Sequence, residues 1–248
     1  MEKKYWVPAL DRANDVLKLI SHYPTQLKLV DLAKQLGINK SSMFVLLSTM
    51  ETLDWVVKET DGTYSLGSQL GFFGHSYFKQ YNLIDRFKKE ASLTKHTIQA
   101  TIQLAKLERH EVLYLAKEEI PSPVKIASEP GMKLPAHATA LGKAMLASLS
   151  QVELEKLYPE QQLTPNLTPH TITSKELLYK QLSLTQSQGF AYDLEEAVIG
   201  FCCIAAPIRN SEGQVIAALS CSIFKHEWEH KRAFAIEEIK ALAQKLSY

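Results

Sequence analysis

The sequence predicts an α+β protein with two domains, and three observations support this class. The first 66 or so residues follow the order helix, helix, turn, helix, β-hairpin, which makes an all-α-plus-hairpin domain. From about residue 100 the pattern changes to strands that alternate with helices. The chain has 248 residues, of which 46% are hydrophobic and 22% charged, so two folded domains with ordinary cores are expected.

The first two helices are indicated by apolar residues at three- and four-residue steps. Helix one opens at Pro8 and ends before Pro24, because proline cannot continue a helix. Helix two covers about 29–36 and stops at Gly37, a residue that readily adopts the left-handed conformation of a helix C-terminus. Asn39 then provides the N-cap of a third helix.

The third helix, at about 40–53, divides into two faces of different chemistry. The predicted buried face carries five apolar residues at helical spacing: Met43, Leu46, Leu47, Met50 and Leu53. The opposite face presents mainly small and polar side chains: Ser41, Val45, Ser48 and Thr52. This arrangement, after a helix and a tight turn, is typical of a recognition helix.

Two short β-branched and aromatic runs flank Asp61-Gly62 and predict a hairpin. Together with the three helices this is the order of a winged helix-turn-helix, so we expect residues 1–67 to bind double-stranded DNA. Charge adds little support, because the first 75 residues carry eight Lys or Arg against eight Asp or Glu, and the whole chain has a net charge of +1. The predicted DNA-binding residues are Lys40, Ser41, Ser42, Phe44, Val45 and Lys58.

A helix predicted at 68–81 links this domain to the rest of the chain. It carries several large apolar or aromatic residues, too many for a solvated linker: Leu70, Phe72, Phe73, Tyr77 and Phe78. We expect the aromatic face either to pack under the wing or to contact a second subunit.

Residues 82–248 are predicted to form the second domain, which opens with a helix at about 83–97. Strands are predicted at 101–107, 112–116, 124–127, 201–208 and 215–224. Helices are predicted at 139–149, 151–158, 174–188 and in the last segment, where Ile236, Ile239, Leu242 and Leu246 recur. Two capping boxes, Ser150 with Glu153 and Thr173 with Glu176, indicate where the helices at 151 and 174 begin.

Five segments form a specific pattern when they are taken in order and spacing. They are 9–13 (ALDRA), 37–42 (GINKSS), 62–67 (GTYSLG), 135–144 (PAHATALGKA) and 195–207, which contains Glu195-Glu196, Gly200 and Cys203 to Pro207. Over residues 9 to about 246 the chain resembles the isocitrate lyase regulator (IclR) family of bacterial transcription factors.

The resemblance implies a sequence-specific DNA-binding transcriptional regulator, more often a repressor, whose operator binding is modulated by a small-molecule metabolite. It implies a GAF-like α/β effector domain with an antiparallel sheet, and a homodimer or homotetramer on a pseudo-palindromic DNA operator. Carried over by matching position, the effector-binding residues are Ala140, Leu141, Asp193, Cys203, Ser220 and Ser222.

The residues themselves support this pocket in part. Ser220 and Ser222 lie two apart on one predicted strand, so their hydroxyls share a face. Helix N-terminal amides near Leu141 and Gly142 offer a site for an anion. We therefore expect a small polar effector such as a small organic acid, with Asp193 either accepting a hydrogen bond from it or staying protonated.

The chain departs from the family pattern at two positions. Val45 stands where the recognition helix usually carries an arginine, and Lys28 stands where the second helix usually begins at a Ser or Thr cap. Valine cannot donate to guanine as arginine does, but it packs against a thymine methyl group. We therefore expect A·T pairs in the operator half-sites at the position that Val45 faces.

Three motifs suggest catalysis, and each has a simpler explanation. Residues 226–230 (HEWEH) match the zinc-protease pattern H-E-x-x-H, but no third ligand follows at the usual spacing. Gly142-Lys143 is similar to the end of a phosphate-binding loop, but the first glycine and the Ser/Thr of that motif are missing. A catalytic triad of Cys203, His137 and Asp193 is a less favoured interpretation than a buried, unreactive cysteine. In the simpler interpretation His137 holds its own loop in place. We expect no catalytic residue, no metal and no cofactor.

Two other function classes stay open. One is an enzyme built on the α/β domain, and the other is a helix-turn-helix module used only for protein contacts, which the zero net charge of the first 75 residues suggests. Neither a signal peptide nor a membrane span is indicated, and the three cysteines fit neither a disulfide framework nor a zinc site. We therefore expect a cytoplasmic protein.

Overall fold

The computed structural model describes residues 7–79, 82–122 and 128–248, and the chain separates into two compact units, residues 1–80 and 81–248. The predicted strand at 124–127 and the last two residues of the predicted linker helix, 80 and 81, lie outside the described residues. In the described part of the chain, no helix is long and apolar enough to cross a bilayer.

The described residues of the first unit form three helices, a β-hairpin and a fourth helix. Its elements are α1 (Pro8–His22), α2 (Leu29–Gln35), α3 (Lys40–Thr52), β1 (Val56–Lys58), β2 (Tyr64–Leu66) and α4 (Ser68–Lys79). β1 and β2 pair antiparallel, and Gly62 in the turn has a φ of +83°, which glycine adopts without strain. The predicted helix-turn-helix order with its hairpin is confirmed.

The core of the first unit lies between the inner faces of α1, α2 and α3 and the hairpin. Its most deeply buried side chains are Val16, Ile20, Leu32, Met43, Leu47, Met50, Val56 and Tyr64. The prediction that Leu53 belongs to this face is wrong, because α3 ends at Thr52 and the Leu53 side chain is 48% exposed. Burial of apolar area in the core holds the exposed face of α3 toward solvent.

The ends of α2 and α3 are set by local hydrogen bonds. Asn39 Oδ1 accepts from Ser42 N at 2.8 Å and caps α3, as predicted. Lys28 offers no acceptor to the first turn of α2, but Asp31 Oδ2 accepts from Lys28 N at 3.0 Å. Half of a capping box therefore begins α2 in place of the Ser or Thr cap.

The described residues of the second unit form a six-stranded antiparallel sheet in the order β5-β4-β3-β8-β7-β6, with helices packed against it. The strands are β3 (Thr101–Glu108), β4 (Glu111–Glu118), β5 (Lys133–Pro135), β6 (Ala191–Leu194), β7 (Phe201–Arg209) and β8 (Val215–Phe224). The helices are α5 (Asn82–Ile98), α6 (Ala140–Leu146), α7 (Gln151–Leu157), α8 (Lys175–Gln188) and α9 (Trp228–Leu246). The short edge strands β5 and β6 were not predicted, since three or four residues are too few to show a period.

All seven residues of α6 are buried, and the helix packs on the sheet face that carries Ala105, Ala205 and Ala218. Gly142 lets the turn that precedes α6 approach the helix closely, because a Cβ at that position would lie 2.1 Å from the Ala136 carbonyl oxygen. The small residues on both sides bring the N-terminus of α6 close to the sheet.

The two predicted capping boxes have different outcomes. Glu153 N donates to Ser150 Oγ at 3.3 Å and Ser150 N donates to Glu153 Oε2 at 2.8 Å, so the first box is confirmed. The second box is wrong, because Ser174 rather than Thr173 caps α8. That shift of one residue moves Glu176 out of the box position.

Candidate ligand cavity and nucleic-acid surface

The second unit contains a cavity of about 340 Å³ against the sheet. Residues of β3, β4, β7 and β8 form its floor, and the N-terminus of α6 and the segment after β6 contribute its walls. All six predicted effector-binding residues line it: Ala140, Leu141, Asp193, Cys203, Ser220 and Ser222. The structure therefore brings together residues from four separate segments of the chain.

Strand register explains why these residues meet. Asp193 of β6 lies opposite Cys203 of β7, which in turn lies opposite Ser222 of β8. Ser220, two residues earlier on β8, lies opposite Gln103 of β3. Because residues paired across antiparallel strands share a face, these side chains form one polar patch on the cavity floor.

Hydrogen bonds connect this polar patch. Cys203 Sγ lies 3.3 Å from Ser222 Oγ, and Ser222 Oγ donates to Gln103 Oε1 at 3.3 Å. Gln103 Nε2 donates in turn to Ser128 Oγ. The floor can therefore both donate to and accept from a polar ligand.

Several lining residues were missed in the sequence. Gln103 is a buried amide within the apolar strand β3, and that contrast was a readable signal. Ser128 and Thr139 lie outside the predicted strands and give no comparable signal. The remaining lining is mostly apolar: Tyr114, Met132, Leu134, Leu167, Ala197, Val198 and Phe201.

Asp193 is a buried carboxyl group at the β6 end of this polar patch, with only 3% of its surface exposed. Its Oδ1 accepts from Glu196 N at 2.7 Å and from Ala197 N at 3.3 Å, so it fixes the turn that follows β6. Burial raises the pKa of Asp193 to about 7, although the positive charge of Lys143 opposes the rise. Near neutral pH this carboxyl group is therefore present in both ionisation states.

Lys143 is enclosed and does not reach a ligand. Its Nζ lies 2.5 Å from Glu196 Oε1 and 2.8 Å from Gln181 Oε1, and both Lys143 and Glu196 are buried. The amide of Gly142 donates to Thr139 Oγ1 at 3.0 Å and is not free to hold an anion. The expected anion site is therefore wrong for the Gly142 amide, whereas its Leu141 part stays a prediction. The lysine of the Gly142-Lys143 pair, which is similar to the end of a phosphate-binding loop, is bound to Glu196 instead.

The proposed thiol triad is not assembled. Burial raises the pKa of Cys203 well above its ordinary value, and its thiol contacts the Ser222 hydroxyl. His137 is buried too, with its ring edge-on to Tyr158 at 6.2 Å and its pKa lowered by burial. Cys203 belongs to the cavity floor, and His137 packs beside α7.

The H-E-x-x-H match does not form a zinc site. His226 lies in a short 3₁₀ turn before α9 and its ring stacks on Phe224, whereas His230 lies within α9. The protease motif requires both histidines on one helix face. Among residues 7–79, 82–122 and 128–248 there is no group of three or more His, Cys, Asp or Glu side chains that could hold a metal ion.

On the first unit, α3 presents an exposed surface opposite its core face. Phe44 is 59% and Val45 65% exposed, and Ser41 is exposed with its Oγ donating to Asn39 Oδ1 at 2.8 Å. Ser48, which was predicted on this face, is only half-exposed, and the next residue, Thr49, is exposed.

A groove between α1 and α3 adjoins this surface. It is lined by Ala9, Arg12, Ile38, Ser41, Ser42, Val45, Leu46 and Thr49. Arg12 thus places a cation beside Ser42 and Val45. Arg12 was not among the predicted DNA-binding residues, since those all belong to the third helix and the wing. Lys40 and Lys58 are exposed but are not part of the groove lining.

An exposed recognition helix beside a groove that contains Arg12, joined in one chain to a sheet domain with a polar-floored cavity, defines a helix-turn-helix transcriptional regulator. Residues 9–60 match the IclR helix-turn-helix domain, and residues 75–248 match the family described as bacterial transcriptional regulator IclR C-terminal. The chain belongs to the IclR family of bacterial transcriptional regulators.

Individual relatives agree with this assignment. The chain is 34% identical over 217 residues to the HTH-type transcriptional regulator XynR of Escherichia coli K12, which covers 87% of this chain and 86% of XynR. It is similar to the crystal structure of an IclR transcriptional regulator from Alicyclobacillus acidocaldarius, with 28% identity, 98% of each chain covered and a TM-score of 0.82. The fold also matches an IclR homologue from Microbacterium hydrocarbonoxydans complexed with 4-hydroxybenzoate, with 23% identity, 96% and 97% of the chains covered and a TM-score of 0.81.

Proposed function

We propose that this regulator binds a pseudo-palindromic operator as a homodimer or homotetramer in the cytoplasm, and that a small polar molecule in the cavity changes its affinity for that operator. Repression is the mode we favour. The observation that carries the proposal is the cavity itself, because it brings all six predicted effector-binding residues together in a unit separate from the helix-turn-helix. The working division is a DNA-binding domain at 1–67, a linker helix at 68–81 and an effector-binding domain at 82–248.

The size and chemistry of the cavity support a small effector. A volume of about 340 Å³ lies at the low end of the range for small-molecule sites. The hydroxyls of Ser220 and Ser222 and the amide of Gln103 offer polar contacts on the floor, while Leu134 and Phe201 belong to its apolar lining. A compact molecule with hydroxyl or carboxyl groups and a short apolar part fits this arrangement.

The exposed side chains of α3 support a division of labour on DNA. Val45 has no donor and is suited to a thymine methyl group in the major groove. Ser41 and Ser42 in the first turn, with Lys40 and Arg12 nearby, are suited to phosphate oxygens. Phe44 adds apolar surface beside Val45, and Lys58 places a charge on the wing.

A ligand screen tests the cavity assignment. Small carboxylates, hydroxy acids, sugar acids, polyols and aromatic acids, including 4-hydroxybenzoate, are scored by thermal shift on the full chain, because a ligand that binds only the folded state raises its stability. For the best compound, Ser220→Ala with Ser222→Ala should weaken binding by about 1 kcal/mol per lost hydrogen bond. Affinity for DNA without the compound should not change.

The matched control is Ser187→Ala, which removes an exposed hydroxyl of α8. It should leave the affinity for the compound at the wild-type value. If the double variant also bound the compound as tightly as the wild type, the effector would not lie on the Ser220–Ser222 floor.

A further inference from the structure

Beside the cavity, three buried charged side chains form a cluster: Asp193, Glu196 and Lys143. Their exposed fractions are 3%, 4% and 0%. Lys143 Nζ contacts Glu196 Oε1 at 2.5 Å, so the single cation of the cluster is already paired. Two carboxyl groups therefore share one lysine in a place where an unpaired charge is costly.

Within the cluster, Asp193 is the carboxyl group that a ligand can reach, since it lines the cavity and Glu196 does not. Asp193 Oδ1 is occupied by the amides of Glu196 and Ala197. Both of these hydrogen bonds reach Oδ1, and neither reaches Oδ2. This second oxygen is therefore the one that remains for a ligand.

The charged and titratable groups around Asp193 come from every element packed against it. Lys143 on α6 favours its ionised form, and Glu196 in the turn after β6 disfavours it. Tyr114 on β4 and Cys203 on β7 stay neutral, because burial raises the pKa of each well above its ordinary value. Cys202, also on β7, is neutral near pH 7 for the same reason, with a pKa of about 11.

No lysine, arginine or histidine among the described residues lines the cavity. A ligand carboxylate on the cavity floor would face an ionised Asp193 that is itself almost fully buried, and two such charges repel strongly. One proton held on Asp193 Oδ2 removes this repulsion and replaces it with an O–H donor to the ligand. The pKa of about 7 means that such a proton is readily available near neutral pH.

We propose that Asp193 is the specificity-determining group of the cavity: it holds a proton whenever an anionic ligand is bound, so that a carboxylate that binds to the ionised site takes one proton from solution. The inference rests on the proposed effector function of the cavity. The proton moves from the solvent to Asp193 Oδ2, and no covalent bond to the ligand forms or breaks.

The affinity of the cavity for an anionic ligand should fall as the pH rises. An anion that requires protonated Asp193 binds best below the pKa of the free site and loses up to tenfold in affinity for each pH unit above it. With a pKa of about 7, the affinity of a carboxylate should fall roughly thirtyfold between about pH 6 and pH 8.5. The affinity of a neutral isostere that can accept a hydrogen bond from Asp193 or donate one to it should change far less over this pH range.

The test uses the full chain and three matched pairs of probes: glycolate and glycolamide, lactate and lactamide, benzoate and benzamide. Dissociation constants are measured by calorimetry at about pH 6 and pH 8.5. Repeating the titration near pH 7.5 in phosphate and in Tris, which differ in ionisation enthalpy, counts the protons taken up. We expect at least one carboxylate to bind with the roughly thirtyfold fall. Its proton uptake near pH 7.5 should be about 0.75, because about that fraction of the free sites is ionised there.

Two variants sharpen the result. In Asp193→Asn the side-chain oxygen still accepts from the Glu196 and Ala197 amides, and the NH₂ group imitates the protonated carboxyl, so carboxylate affinity should become independent of pH. Glu176→Gln removes a negative charge from the exposed face of α8 and should leave the wild-type pH dependence intact.

The possible outcomes separate this inference from the effector function. Equal carboxylate affinity at the two pH values, with no proton uptake, would overturn the inference and leave the effector site standing. Binding of the amides alone would overturn it in the same way. If neither the carboxylates nor the neutral amides bound, and the wider ligand screen also found nothing, both the inference and the effector function would fail.

Discussion

The functional residues of the two units are brought together in opposite ways. The proposed DNA-binding residues of the first unit lie mostly on one short helix, where Ser41, Ser42 and Val45 are close in sequence and line the same groove. The cavity of the second unit is assembled by register, which places Asp193, Cys203 and Ser222 opposite one another on three strands. On a local surface, a substitution alters one exposed side chain at a time. In an assembled cavity, the position of each lining residue depends on the strands and helices that hold it.

The largest difference between the units should appear when the buried ion pair beside the cavity is broken. Lys143→Met leaves Glu196 buried without its cation and should lower the free energy of unfolding by about 3–5 kcal/mol. Chemical denaturation followed by the fluorescence of Trp228, which is buried in the same unit, measures the loss.

The control for this variant is Lys180→Met, which removes the cation of the exposed Lys180–Glu176 pair. Its effect should stay below about 1 kcal/mol. If the two variants were equally stable, the Lys143–Glu196 pair would not hold the cavity wall.

Asp193 should make the stability of the second unit fall as the pH rises, and the variant Asp193→Asn should remove this dependence. Its pKa in the folded state, about 7, lies above the ordinary value of 3.8, so its contribution to stability is complete below pH 3.8 and is lost as the pH rises through 7. Asp193→Asn should therefore be more stable than the wild type above pH 7, by ~2–4 kcal/mol, and the gain should shrink toward pH 4. Denaturation curves at several pH values measure it, and a gain that did not vary with pH would contradict the assignment.

In the first unit, a single exposed side chain should change specificity without changing stability. Val45→Arg supplies a donor for guanine where the isopropyl group packs against thymine, and should shift the preferred base at that position by ~1–3 kcal/mol. Selection from a randomised DNA library with the wild type and the variant reads this out. Identical recovered motifs would show that Val45 does not contact a base.

Arg12 should contribute affinity but little specificity. If its guanidinium neutralises one phosphate, Arg12→Gln should reduce the slope of log affinity against log salt by about one for each bound subunit. Fluorescence anisotropy on one operator at several salt concentrations measures the slope. Arg109→Gln, in the turn between β3 and β4 of the second unit, serves as the control and should leave the slope unchanged.

The contrast between a local surface and an assembled cavity also explains how much of each unit could be predicted from the sequence. The helix-turn-helix was predictable because Pro24, Gly37 and Asn39 are local signals that end or begin helices. The boundary of α8 was missed by one residue, since Thr173 and Ser174 can both cap a helix and only the folded chain selects one. Leu53 was misplaced for a similar reason, because helical spacing continues past the point where the helix itself ends.

The cavity was accessible from the sequence only through the family resemblance. No periodicity relates Asp193 to Ser222, and Leu167 and Ser128 come from segments without a regular pattern. Ser220 and Ser222 could be paired as neighbours on one face, but their partner Gln103 is 119 residues from Ser222 and is brought there by the pairing of β3 with β8. The expectation of a free Gly142 amide failed because Thr139, as the N-cap of α6, already occupies it.

Occupancy of the cavity should change operator binding by the other unit. The direct measurement is the dissociation constant for DNA selected by the wild type, with and without a saturating amount of the compound that gives the largest thermal shift. It is made on the wild type, on the double variant Ser220→Ala with Ser222→Ala, and on Ser187→Ala. We expect the compound to change the operator affinity of the wild type and of Ser187→Ala by at least fivefold, in the range typical of allosteric coupling, whereas at that same concentration the double variant responds less. An unchanged operator affinity in the wild type at saturation would contradict the account.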